Sequence, residues 1–146
     1  MRAGTSFDRR LALCMIEQPA TNEILDQLAE ALIFTTVSGN IVLWNRAAAA
    51  LFGFEKDEAI GQSLDLIIPP HLRSAHWAGF EAAVETGRLK LGGKPTLTRA
   101  MHKSGRRVYV EMSFALVRSA EGVIGSVAVA RDVTERIERE RASISA

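Results

Sequence analysis

The 146-residue chain has a single cysteine, Cys14, so it can form no disulfide within itself and offers no cysteine-based zinc site. No apolar run approaches the roughly 20 residues needed to span a bilayer, and the N-terminus lacks a signal-peptide core. Charge of either sign is scarcely in excess. The 18 Lys and Arg against 17 Asp and Glu leave +1, too little to favour nucleic acid or a charged membrane surface as the main partner. No Gly-rich phosphate loop follows a strand-like segment, no metal-ligand spacing occurs and no nucleophile has an evident base, which predicts a non-enzymatic chain. These absences predict a cytoplasmic protein, or the cytoplasmic piece of one, with neither nucleic acid nor membrane as its direct partner. What is present is ordinary globular composition, 47% apolar and 24% charged, at a length suited to one domain with a real core.

Ser6 is placed to cap a helix carrying Phe7, Leu11, Leu13, Cys14 and Ile16 that stops near Pro19. Cys14 reads as a small buried hydrophobe there. A second short helix starts at Thr21 or Asn22. Ala31 to Thr36 and Ile41 to Trp44 flank Ser38-Gly39-Asn40 and predict a hairpin. Asn45 leads into the helix Arg46 to Phe52, stopped by Gly53, and Lys56 to Gly61 gives another helical turn. Beyond a linker from Arg88 to Pro95 the pattern takes period two. Strands are predicted at Thr96 to Lys103, Val108 to Leu116 and Val123 to Ala130, with tight turns between them. The layout is α+β, an antiparallel sheet with helices over one face. Asp132 and Glu135 have capping-box spacing for a last helix, on which Ile137 and Ile144 lie seven apart, too few for a coiled coil.

Pro69-Pro70-His71-Leu72 opens the longest predicted helix, which runs to about Thr86 and stops at Gly87. Leu72, His76, Phe80 and Ala83 follow at helical spacing, so one apolar stripe carries a histidine in its middle. His71 points away from it. His71, at a helix start, and His102, near a turn, are expected to be exposed. Trp44 is expected to pack.

Several ordered motifs resemble the PAS domain family of signal-sensing modules. They are Ser38 to Ala47, Leu51-Phe52-Gly53-Phe54, Glu58 to Leu64, His102-Lys103-Ser104-Gly105-Arg106 and Arg131 to Arg136. The resemblance covers about Asn22 to Arg136. It implies a five-stranded antiparallel sheet in the order 2-1-5-4-3, with flanking N- and C-terminal helices. It implies a flanking helix over residues 1–20 that serves dimerisation, a sensor domain over 21–132, and a signalling helix or linker from 133 to 146. A homodimer and a downstream output domain or protein are the implied partners.

Within that family the segment Leu72 to Phe80 is similar to the one carrying the proximal haem histidine of oxygen-sensing members. This implies haem b as the cofactor, a diatomic gas as the signal and His76 as the metal ligand. Around it the resemblance implies a cavity lined by Leu72, Phe80, Leu91, Met112 and Phe114, with Lys90 as a propionate partner. Thr96 stands where an arginine stabilises oxygen in some relatives, Ala82 where another arginine lies, and Lys94 where others carry a distal methionine. These departures imply weak oxygen binding and a preference for carbon monoxide or nitric oxide. A flavin-cysteine photosensor is disfavoured, because Asn45 to Ala50 lacks its cysteine motif. Two alternatives stay open: a ligand-free dimerisation or docking module, and a pocket for a small organic metabolite with His76 as a hydrogen-bond donor.

Overall fold

The computed structural model describes residues 19–145. The expected N-terminal helix, its part in a dimer contact and Cys14 lie outside the described residues. The elements run α1 (Thr21–Gln27), β1 (Ala31–Thr36), β2 (Ile41–Trp44), α2 (Arg46–Phe52) and α3 (Lys56–Ala59). A 3-10 turn at Leu64–Leu66 leads into α4 (Pro70–Thr86), β3 (Thr96–Met101), β4 (Arg107–Ser119), β5 (Gly122–Asp132) and α5 (Thr134–Ile144). The five strands form one antiparallel sheet in the order β2-β1-β5-β4-β3. The β1–β2 hairpin and the β3–β4–β5 meander are thus joined edge to edge through β1 and β5, the expected order.

Alternation along the strands, with a register shift between β1 and β2 that lets Ile41 and Trp44 share a face, puts Ile33, Ile41, Trp44, Val108, Val110, Met112, Ala128 and Ala130 into one buried cluster with Phe52, Leu64 and Ile67. Trp44 is buried, packs at 5.5 Å from Phe52 and donates from Nε1 to the carbonyl of Phe54. Asn45 is a hub. Its Oδ1 accepts from the N–H groups of Leu32 and Ala48, and its Nδ2 donates to the carbonyls of Leu25 and Glu30. One side chain thereby caps α2 and ties α1 and β1 to it. Gly53 and Gly87 close α2 and α4 with left-handed backbone, as a helix stop requires.

Three expectations are corrected. β3 ends at Met101, because His102 to Gly105 form a turn closed by the N–H of Gly105 on the carbonyl of His102. His102 is half-buried rather than exposed; its Nδ1 pairs with Ser104 and its ring lies against Gly53. Asp132 is the last residue of β5, not a helix N-cap with Glu135. Its carboxylate accepts from the N–H of Thr134, so the strand passes into α5 almost without a break. Ile137 is buried with Tyr109 and Val133 on the far side of the sheet, and Arg141 stacks over the Tyr109 ring at 4.9 Å. Ile144 is exposed.

Candidate functional site

Pro70 occupies the first turn of α4, where its missing N–H costs no helical bond, and the turn before it is locked by polar contacts. Arg73 donates to the carbonyls of Ile68 and Asp65, and Trp77 Nε1 donates to the Asp65 carboxylate at 2.8 Å. The Trp77 ring reaches the β1–β2 turn at Gly39. These contacts fix the rotation of α4. With Trp77 anchored at the turn, His76 and Phe80 face a cavity of about 330 Å³ between α4, the sheet and the segment 88–95. This volume lies within the range of small-ligand pockets, roughly 300–1,000 Å³.

The cavity collects most of the expected residues. His76, Phe80, Lys90, Leu91, Met112 and Phe114 line it, as do Ala83 from the α4 stripe and Lys94. Leu72 and Thr96 fall elsewhere. Leu72 packs against the main core below the cavity, and the Thr96 hydroxyl turns to the carbonyl of Met112 at 3.5 Å. The sequence reading missed Thr35 and Ser126, both buried and both on the cavity wall. The strand period puts Thr35 on the same face as Ile33, which was a usable signal; Ser126 joins it only through the long-range register of β1 with β5.

His76 is the chemical centre of the wall. Its Nδ1 is buried and has no hydrogen-bond partner, an uncommon condition for an interior polar atom. Its ring stands edge-on to Trp77 at 4.7 Å and lies nearly parallel to Phe80 at 6.3 Å. Burial pushes its pKa below the ordinary 6.5, and the Asp65 carboxylate opposes this only in part. At neutral pH the ring is therefore uncharged and retains a free lone pair. Among the described residues no cluster of three or more His, Cys, Asp or Glu could hold a metal ion, so His76 would act as a lone protein ligand.

A stability effect follows. Between pH 6.5 and the lower value in the folded state, the unfolded chain binds a proton that the folded chain refuses. Stability is therefore expected to fall as the pH drops through that window, and His76→Gln is expected to remove this part of the slope. Urea midpoints of both proteins from pH 7.5 to pH 5 (about the range over which His titrates) read it. Parallel slopes would rule out a buried neutral His76.

The family model described as PAS fold matches residues 21–133. The chain is 27% identical over 118 residues to the oxygen sensor protein DosP of Escherichia coli, covering 80% of this chain and 15% of that protein. The curated relatives are much longer than this chain, which spans 15% of one and 17% of another. Among solved structures, a PAS domain from Colwellia psychrerythraea superposes with a TM-score of 0.68 at 24% identity, covering 77% of this chain and 93% of that one. The PAS domain of the Cronobacter turicensis quorum-sensing receptor RpfR, in complex with C12:0, gives 0.61 at 18% identity, covering 74% and 97%. No helix among the described residues is long and apolar enough to cross a membrane.

Proposed function

Because the chain belongs to the PAS fold family, we propose that it is a sensory domain whose cavity binds haem b through His76 and senses a diatomic gas. The observation that carries the reading is the unpartnered, buried Nδ1 of a neutral imidazole on the cavity wall. With Nδ1 enclosed, Nε2 is the ring nitrogen left open to the cavity, and in the neutral ring it can carry the ligand lone pair. Phe80, Met112 and Phe114 offer apolar walls to a porphyrin, and Lys90 and Lys94 offer cations to its carboxylates. Likeness to a protein named as an oxygen sensor supports a gas as the signal. Held there by His76, haem would supply an iron able to take a gas. The chain's own residues set the ring of His76, exclude water from the apolar walls and carry β4 and β5 between the cavity and α5. The relay through α5 belongs to this reading, since a ligand can bias α5 only by binding one arrangement of the sheet better than another.

A second reading is favoured by the same lysines at the edge of an apolar space. They suit an organic ligand with an acidic head, and a PAS domain of this fold has been solved in complex with C12:0. Reconstitution separates the two. The whole chain is expected to take up haem at one equivalent, giving a histidine-ligated Soret band that His76→Ala loses and added imidazole restores. Uptake that is sub-stoichiometric, or equal in His76→Ala without imidazole, would remove haem and leave the acidic organic ligand.

A further inference from the structure

Three polar residues are buried among the described residues: Thr35, Asn45 and Ser126. Asn45 satisfies its amide through four hydrogen bonds. The hydroxyls of Thr35 and Ser126 bond to no other residue among those described, and both residues line the cavity. They are direct partners across β1 and β5, so their side chains stand side by side on the same face of the sheet. Interior strand positions are normally apolar, and Ile33 and Ala128 are the neighbours two residues away on the same face. Neither hydroxyl is sealed into the core, where among the described residues only His76 Nδ1 is an enclosed side-chain polar atom without a partner; both open onto the cavity and are free to bond what occupies it.

We propose that Thr35 and Ser126 together form the polar site of the cavity and hydrogen-bond the gas that the haem reading places there; the inference rests on that reading. His76 enters from α4 and the hydroxyl pair from the sheet, so the two lie on opposite walls of the same space. A group held by His76 would meet, on the sheet side, the apolar Met112 and Phe114 and the hydroxyls of Thr35 and Ser126. A hydroxyl can donate to one neighbour while accepting from another, so one of the pair can orient its partner while the partner donates to the ligand. This supplies a donor on the sheet wall that Thr96 does not, since Thr96 turns its hydroxyl to a backbone carbonyl. The preference against oxygen expected from the missing arginines is thereby reduced.

The test uses the whole haem-loaded chain and the double variant Thr35→Val, Ser126→Ala, with the C–O stretch of the carbon monoxide complex and the dioxygen dissociation rate as readouts. The Soret band is expected to be unchanged, the stretch to rise in frequency, and dissociation to quicken roughly tenfold, the equivalent of one lost hydrogen bond. The hydroxyl-retaining variant Thr35→Ser is expected to keep the wild-type stretch. A normal Soret band with an unmoved stretch and rate would overturn the polar site and leave the haem reading standing. Failure of the wild-type chain to take up haem would overturn both. Should the double variant lose haem, Thr35→Val and Ser126→Ala are read singly by the same criteria. Loss of haem in both of these as well would assign the pair to structure and overturn the proposal.

Discussion

Asn45→Ala is expected to destabilise the domain by about 3–4 kcal/mol, the sum of a lost N-cap and of buried backbone groups left unpaired. The residue is 4% exposed, so water replaces few of its four partners. Removing the oxygen strands the N–H groups of Leu32 and Ala48, and removing the amide strands the carbonyls of Leu25 and Glu30. A domain of this size has roughly 5–15 kcal/mol in total, so the loss is a large share of it. Asn45→Asp keeps the acceptor and should fall between the two. Equilibrium urea denaturation measures the series. A loss below about 1 kcal/mol for Asn45→Ala would show that Asn45 is an ordinary cap rather than a hub.

Gly125→Ala is the second large effect. A Cβ built at Gly125 would lie 2.1 Å from the carbonyl oxygen of Thr35 and 2.7 Å from the Phe34 ring. The obstructing oxygen is backbone, on a strand held in register to β5 from Ala31 to Thr36, and cannot swing aside as a side chain can. One added methyl must therefore part β1 from β5 locally, at a cost of about 2–3 kcal/mol, the upper part of the range for overpacking. The strain falls at the pair that carries Thr35 and Ser126, so ligand affinity should fall together with stability. Gly79→Ala on α4 is the control. Nothing lies within 4 Å of its built Cβ, and alanine in a helix interior gains up to about 1 kcal/mol over glycine. Thermal melts of the two variants should move in opposite directions, and a neutral Gly125→Ala would mean that the strands can separate there without penalty.

The sheet and its order were legible because period-two segments and turn residues stand close together in the chain, and because the ordered PAS motifs join the first hairpin to the last three strands. The histidine stripe was legible for the same local reason, since Leu72, His76, Phe80 and Ala83 share one helix face. What escaped depends on register between distant segments. Thr35 meets Ser126, and Asn45 meets Leu25 and Glu30, through contacts that no local pattern encodes. Asp132 misled because Asp-x-x-Glu spacing is satisfied equally by a strand end whose carboxylate bonds the second residue along. Thr96 and Leu72 have suitable positions along their elements, yet neither lines the cavity: the Thr96 hydroxyl bonds the Met112 backbone and Leu72 packs against the main core.

β4 carries Met112 and Phe114 on its cavity side and Tyr109 on the reverse, where Tyr109 meets Val133, Ile137 and the stacked Arg141 of α5. Met112 is three steps along the strand from Tyr109, about 10 Å of extended chain. Because both sets hang from one backbone, a twist of β4 swings them in opposite senses, as the two arms of a rocker do. In the proposed relay such a twist would make a lever one strand thick, its throw set by the stiffness of the sheet rather than by a chain of side-chain rearrangements.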